Sequence, residues 1–433
     1  MAASRIKHVS IKKLWGVKDI STDFHEHINI FIGSNGSSKT TFLNLIEATL
    51  LCDINTFSNI EFESVEIELA LEDSFVIKVI KTSTEEISMI KYVFNHNFEY
   101  EIPCIETSFR SYRYPIRYKE AYSNIQEKLS QLVNISWLSI NRDNASFFEY
   151  ERGREYMERI RNMVDMKLQD LVNRLIVYQL QLESEANKNA NKFKEEVLSL
   201  MLYNESVDIY KSENMERIIS TDTGSMRKDL YSAFRALGVA RDKSEQIQTH
   251  INKIKDLISK LTKGTGITVN DAFVLSLINR TLSIIEISKT HENQTREIFS
   301  PIDKFWKCLS NFMPNKMFEL GKDNDSSITI LLKEGSFKDV PINITSLSSG
   351  EKQLFILLTE ALLQKNIAHL FIADEPELSL HIEWQRKILN ALLELNPNAQ
   401  IIVATHSPEI AGNFPENITN MKSITSVSYT HLT

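Results

Sequence analysis

The chain is expected to be an α/β protein in which a mixed sheet with an antiparallel β meander carries a large helical insertion. Three observations predict this. The stretch GSNGSSKT lies between an apolar run, INIFI, and an apolar-periodic segment, TTFLNLIEATLL. Short alternating runs fill residues 63 to 100. From about residue 150 to residue 300, glycine and proline are scarce and long helical patterns take over.

In chain order, IKHVSIKKLW and INIFIG read as strands, the second running into the glycine-bearing loop. A helix follows, with Phe42, Leu45, Ile46 and Leu50 on one face. VEIELALE, FVIKVIK and ISMIKYVF alternate with the period of half-buried strands. MVDMKLQDLVNRLIVYQLQLESEANKNANKFKEEVLSLML and SEQIQTHINKIKDLISKL are helical patterns mixed with charge. Two readings fit them: a helical subdomain, or a short coiled-coil arm whose heptads are not sustained. SSITILLKEGSFKDVPINI predicts a hairpin turning near Gly335. LSSGEKQLFILLTEALL is a loop opening a helix; HLFIA and QIIVA are buried strands, and THSPEI is a turn. The expected domains are 1–150, a first lobe with the glycine-bearing loop; 151–300, the helical insertion; and 301–426, a second lobe. VSYTHLT, 427–433, is expected to be a non-native tail, because it fits a reading frame of the mosaic end used in transposon-based sequencing libraries.

Length and composition narrow the class. A chain of 433 residues accommodates two or three domains, and 42% apolar residues suffice for a sizeable core. The net charge of −8 excludes a uniformly basic nucleic-acid coat but leaves room for a local basic groove. Cys52, Cys104 and Cys308 lie far apart, match no metal-ligand spacing and suit a reducing cytoplasm. Residues 1 to 30 lack a signal-peptide apolar region, and no apolar run approaches a membrane span. A cytoplasmic protein with no membrane partner is expected.

Four constellations carry chemistry. Gly33 and Gly36 let the first loop turn tightly, so that backbone N–H groups and a helix N-terminus can face phosphates. Lys39 supplies a point charge to the phosphates and Thr40 a hydroxyl to Mg²⁺. Ser38 stands where such loops carry a third glycine; a left-handed backbone there costs serine about 1–2 kcal/mol, too little to abolish binding. Second, HLFIADEPE ends a buried strand in Asp374 and Glu375: the first can sit beside a metal, the second polarise a water. Third, Ser348, Ser349, Gly350 and Glu351 open a helix, a second anion-ready N-terminus. One site has no obvious use for two such loops; a head-to-tail dimer, each loop completing the partner's site, accounts for both. Fourth, His406 follows a strand, where a neutral imidazole could contact a γ-phosphate.

The order GSNGSSKT, LSSGEKQ, ADEPELSLH, ATHSPE resembles the ABC-type P-loop NTPase heads of the SMC and RecF DNA-repair families. It is similar above all to the OLD-like prokaryotic ATPases of anti-phage systems such as PARIS and Septu. The resemblance covers roughly residues 1 to 60 and 300 to 415. It implies ATP and Mg²⁺ as cofactors, with Gly33, Ser34, Asn35, Gly36, Ser37, Ser38, Lys39, Thr40 and Thr41 around the nucleotide. It implies Thr40 and Asp374 as the metal residues, Glu375 as catalytic base and His406 as the γ-phosphate switch. Ser348, Ser349, Gly350 and Glu351 would be a signature loop acting across the dimer.

Ser38 departs from the pattern, and neither Gln126 nor Gln131 fits the family's Q-loop glutamine. Trp15 stands where relatives carry arginine and reads as a core tryptophan, or else as a platform for adenine. SFRSYRYPIRYK, 108–119, interleaves Arg110, Arg113, Arg117 and Lys119 with Tyr112, Tyr114 and Tyr118. That pattern suits nucleic acid, a solvated strand edge or a partner-protein surface. The function expected is an ATPase that dimerises around two ATP molecules, the sensor or motor of anti-phage defence or DNA processing, working with a nuclease or Toprim effector encoded nearby. The alternatives are an ATP-gated scaffold that holds a toxic partner, and an SMC/RecF-like repair ATPase. A third reading, a transporter's ATPase subunit, is one that the long, largely helical stretch between Lys39 and Leu347 argues against.

Overall fold

The computed structural model describes residues 5–70, 74–83, 88–104, 116–139, 154–202, 218–239, 243–264, 266, 268–320, 328–333 and 341–427. The chain divides into two compact units, one of Met1–Ile176 with Lys304–Thr433, the other of Val177–Asp303.

The chain runs β1 (Arg5–Leu14), β2 (Lys18–Asp23), β3 (Ile28–Ile32), α1 (Lys39–Leu51), α2 (Ile54–Asn59), β4 (Ser64–Ala70), β5 (Phe75–Ser83), β6 (Ser88–Phe94), β7 (Phe98–Pro103), α3 (Ile116–Leu132), β8 (Ile135–Ser139) and α4 (Arg154–Ser199). It continues through α5 (Thr223–Ala236), α6 (Ser244–Lys263), α7 (Val269–Phe312), β9 (Lys316–Leu320), β10 (Ile328–Leu332), β11 (Pro341–Asn343) and α8 (Ser349–Leu363). It closes with β12 (His369–Asp374), α9 (Ile382–Leu395), β13 (Ala399–Thr405), α10 (Pro408–Ala411), β14 (Ile418–Asn420), α11 (Met421–Ile424) and β15 (Thr425–Val427). Val427, the first residue of the expected tail, thus lies in a strand; 428–433 lie outside the described residues.

The α/β architecture read from the sequence is the one found, with parallel and antiparallel strands in separate sheets. INIFI, HLFIAD and AQIIVAT are near-continuous apolar runs, as strands covered on both faces require. They form the interior of a five-stranded sheet ordered β14-β3-β13-β12-β8, parallel at every pairing. Asp374 pairs with Ala404, and Thr405 with Ile32. The carboxyl ends of β3, β13 and β12 therefore reach the same level, and the segments leaving them emerge side by side. In open parallel sheets this is the edge where ligands bind.

The meander belongs to a seven-stranded antiparallel sheet, β15-β2-β1-β4-β5-β6-β7. Its strands alternate as the sequence indicated; Val65, Ile67 and Leu69 of β4 all point into the core. α1 shares that core: Phe42, Leu45 and Ile46 are fully buried with Val9 and Ile67 of one sheet and Ile402 and Ala404 of the other. This packing sets the axis of α1 and, with it, the loop before it. β9, β10 and β11 form a three-stranded antiparallel sheet in which Thr329 pairs with Asn343. The hairpin expected there is the β10–β11 pair; Gly335 lies outside the described residues.

In the second unit, Ile247, Ile251, Ile254 and Leu257 make one face of α6 and pack with Met226 and Leu230 of α5 and Leu275, Ile278 and Ile285 of α7. α4 and α7 run antiparallel: Asn189 donates to the His291 carbonyl and to Thr295, while Arg280 donates to the Leu200 carbonyl. No helix among the described residues is long and apolar enough to cross a membrane.

The core reading of Trp15 is corrected. Trp15 and Gly16 occupy the turn between β1 and β2 with φ of 53° and 75°, and Trp15 is 45% exposed. They are the central residues of a turn in which the Val17 amide donates to the Leu14 carbonyl (3.3 Å), and two left-handed central residues match the twist of a hairpin. The turn lifts the indole off the sheet's inner face despite its apolarity.

Candidate functional site

The loop after β3 turns left-handed at two positions, Gly36 (φ 76°) and Ser38 (φ 70°, ψ 19°). Glycine is the residue that suits Gly33, because an added Cβ would fall 2.5 Å from the Ser37 hydroxyl oxygen. α1 starts at Lys39 with no side-chain cap, whereas α5, α8 and α9 are capped by Asp222, Ser348 and His381. The first-turn amides of α1 are thus left for an external acceptor.

Lys39 is buried, 5% exposed, and its Nζ donates to the carbonyls of Gly33 (2.9 Å) and Ser34 (3.4 Å). Burial pushes its pKa below the usual lysine range, against the opposing pull of Glu375, Asp374 and Glu377. Nζ also lies 2.8 Å from Nε2 of His406, and that same Nε2 is 3.8 Å from the Glu375 carboxylate. Residues 39, 375 and 406, widely separated in sequence, meet because β3, β12 and β13 end together. The amide of Glu375 still donates to Ala404 in the style of the sheet (2.8 Å). Its own φ is then 51°, an uncommon angle for a non-glycine residue and a source of local strain of about 1–3 kcal/mol. Pro376 follows at once.

The donor set suits a nucleoside triphosphate with Mg²⁺: uncapped amides, an ammonium, the Thr40 hydroxyl at the first turn of α1, and Asp374 at the end of β12. No cluster of three or more His, Cys, Asp and Glu suited to a metal occurs among the described residues. A magnesium ion would instead be held by Thr40, Asp374 and phosphate oxygens, consistent with its habit of sharing substrate phosphates.

Ser348, Ser349, Gly350 and Glu351 sit at the start of α8, with the two serines exposed. Ser348 and Glu351 form a capping box: the Ser348 amide donates to the Glu351 carboxylate (3.0 Å), and the Glu351 amide to the Ser348 hydroxyl (3.4 Å). Glu351 is further paired with Lys316. Burial alone would raise its pKa, but the Lys316 ammonium and the Ser348 amide outweigh burial and hold it low. Some donors of this helix start are therefore satisfied within the chain. Gly350 is packed so closely that a Cβ would run into the Ser379 carbonyl, and Gln353 donates to the Pro376 carbonyl (2.6 Å). α8 is thus joined to the segment leaving β12.

Three residues of the site escaped the sequence reading. Lys18 donates to the Ser38 hydroxyl (3.3 Å), bringing a second ammonium to the loop. Glu377, 8% exposed, accepts from the Thr405 hydroxyl (2.6 Å) and the amides of His406 (2.9 Å) and Ser407 (3.3 Å). Gln385 bridges the same region, donating to Leu380 (2.9 Å) and accepting from Ser407 (2.7 Å). None of these has a local sequence signature; the Ser348–Glu351 capping box, by contrast, has one in its S-x-x-E spacing. Gln126 and Gln131 donate to Tyr122 and Glu127 on the surface of α3 itself. Arg110, Tyr112, Arg113 and Tyr114 lie outside the described residues.

The left-handed angle at Ser38 gives a first prediction. Ser38→Gly relieves about 1–2 kcal/mol of strain and leaves the backbone donors in place. Steady-state ATP turnover should stay within a few-fold of wild type. A hundredfold loss would show that the Lys18–Ser38 contact is required.

Residues 5–411 match the family described as AAA ATPase domain. The "Retron Ec83 probable ATPase" of Escherichia coli is 22% identical over 442 residues, spanning 94% of this chain and 69% of that protein. The "Retron Vc95 probable ATPase" of Vibrio cholerae serotype O1 biovar El Tor is 22% identical over 426 residues, 94% of this chain and 71% of that protein. Among solved structures, the Smc head domain with an extended coiled coil from Pyrococcus furiosus covers 98% of this chain and 96% of its own, at 15% identity and a TM-score of 0.44. The corresponding Smc head with coiled coil and joint from Pyrococcus yayanosii gives 15% identity and a TM-score of 0.43, covering 99% of this chain and 98% of its own.

Proposed function

The chain belongs to the AAA ATPase domain family, and on that premise we propose that it binds ATP with Mg²⁺ at the Gly33–Thr41 loop and hydrolyses it. The observation that carries this reading is the meeting of Lys39, Glu375 and His406 at the common edge of β3, β12 and β13. Bound Mg²⁺ would supply charge neutralisation on the phosphate oxygens, with Thr40 and Asp374 to hold it. Gly33 to Thr41 cradle the phosphates with backbone amides. The Lys39 ammonium exchanges the Gly33 and Ser34 carbonyls for phosphate oxygens, which stabilise its charge better than the buried pocket does. Glu375 accepts the proton of the attacking water on its carboxylate. His406 Nε2, placed between Lys39 and Glu375, senses whether the γ-phosphate is present.

The site works in a head-to-tail dimer on this reading, with the exposed Ser348 and Ser349 serving the partner's nucleotide. A mixing experiment tests it. Lys39→Ala chains and Ser348→Arg chains, each inactive alone, are combined under conditions in which differential tags show exchange. One composite site then carries both lesions and the other none, so ATPase activity should partly return. No return despite verified exchange would contradict independent composite sites.

The wider role proposed is the sensor or motor subunit of an anti-phage or DNA-processing system, paired with an effector protein. The order of the motifs, similar to that of OLD-like ATPases, supports it. So does the resemblance to two retron ATPases over 94% of the chain.

A further inference from the structure

We propose that Glu377 is the positioning residue of this site: its buried carboxylate clamps the backbone of the β13–α10 segment and so fixes where the His406 imidazole stands. The proposal rests on the ATPase reading of Lys39, Glu375 and His406.

A carboxylate that is 8% exposed is unusual, because burying the charge is costly unless it is hydrogen-bonded or paired. Glu377 meets that demand at one of its two oxygens, with donors all from one short segment: the Thr405 hydroxyl and the His406 and Ser407 amides converge on Oε1, while Oε2 is buried without a hydrogen-bond partner among the described residues. An ionised acceptor makes such bonds shorter and stronger than a neutral one would. The donors lie at the point where β13 ends and the chain must turn, and Glu377 sits three positions beyond the end of β12. The carboxylate therefore ties the exits of two neighbouring strands together.

His406 needs such a tie. Its side chain is 39% exposed, so packing does not hold it. The ring meets Lys39 at 2.8 Å and Glu375 at 3.8 Å, and both distances depend on where its own backbone lies. Gln385 joins the same two segments again, donating to the carbonyls of Glu377 (3.4 Å) and Leu380 (2.9 Å) and accepting from the Ser407 hydroxyl (2.7 Å). That second tie should keep the fold intact when Glu377 is changed and leave the imidazole's position as the main loss. A displacement of about 1 Å in a reacting group can cost on the order of a hundredfold in rate.

The test is a double-mutant cycle on steady-state ATP turnover by the full chain, with binding of a fluorescent ATP analogue measured in parallel to count competent sites. Glu377→Ala should lower kcat on the order of a hundredfold while analogue affinity changes only a few-fold. Glu377→Ala combined with His406→Ala should turn over no more slowly than His406→Ala alone, because contacting residues of one unit are not additive. Should the alanine variant not fold, Glu377→Asp, which withdraws the acceptor by one methylene, replaces it in the cycle. It should lose on the order of tenfold, and that loss should vanish in the His406→Ala background. Wild-type turnover in the Glu377 variant, or losses that multiply in the double variant, would overturn the proposal. So would a slow Glu377 variant beside a His406→Ala protein of unchanged rate. Failure of the underlying reading is seen separately, as wild-type turnover by Lys39→Ala.

Discussion

Lys39→Ala is expected to abolish ATP turnover, lowering it by at least on the order of a hundredfold, the scale seen when one preorganised charge is withdrawn from developing negative charge. Lys39 is the buried cation of the loop, held by the Gly33 and Ser34 carbonyls and beside Nε2 of His406. Alanine removes the charge that would balance the phosphates and also takes away the neighbour of His406. The fold should tolerate the change, since burial already disfavours the Lys39 charge and the core beneath α1 is built from Phe42, Leu45 and Ile46. Phosphate release and binding of a fluorescent ATP analogue check it, with circular dichroism as the fold control. Equal affinity and turnover in a folded Lys39→Ala protein would remove the loop from the account.

Glu375→Gln is expected to separate binding from hydrolysis. Glutamine keeps the shape of the side chain but cannot take a proton from water, and general base catalysis contributes about 10²–10⁴-fold. Turnover should fall by that factor while ATP affinity is kept or improved. Glu375 is placed for the task by its left-handed φ of 51° directly after β12, with its carboxylate 3.8 Å from His406. Turnover in Glu375→Gln within a few-fold of wild type would assign the base to another group. Biological activity that persists in a hydrolysis-dead Glu375→Gln protein would favour a binding switch over an enzyme-driven cycle.

The parts that were legible in the sequence are those where one local rule decides. INIFI and AQIIVAT are mostly apolar, interrupted by the buried Asn29, Gln400 and Thr405, because both faces of the parallel sheet are covered, so they read as buried strands. Val65, Ile67 and Leu69 alternate because β4 has only one buried face. The glycine-bearing loop showed itself by standing between a strand and a helix. What was not legible depends on contacts distant in sequence or on the turn geometry of single residues. Lys18 and Ser38 are twenty positions apart and meet only because β2 lies near the loop. Glu377, two places after Glu375 in a polar turn, looks like an ordinary solvated acid; only the fold shows three donors on one of its oxygens. Trp15 misled because apolarity predicts burial, whereas the left-handed turn beside Gly16 turns it outward. The sequence reading set Lys39 and His406 each against a phosphate; their direct contact was not read from it, and its physical cause is the register of β3, β13 and β12.

The central claim, a site completed across two chains by ATP, is tested most directly by the molar mass of Glu375→Gln in solution. Light scattering after size exclusion, with and without ATP and Mg²⁺, measures it over a range of protein concentrations. The account predicts the mass of one chain without nucleotide and twice that mass with ATP and Mg²⁺, the doubling being absent in Glu375→Gln chains that also carry Lys39→Ala. A mass that stays at one chain at every concentration, with ATP bound in stoichiometric amount, would contradict it.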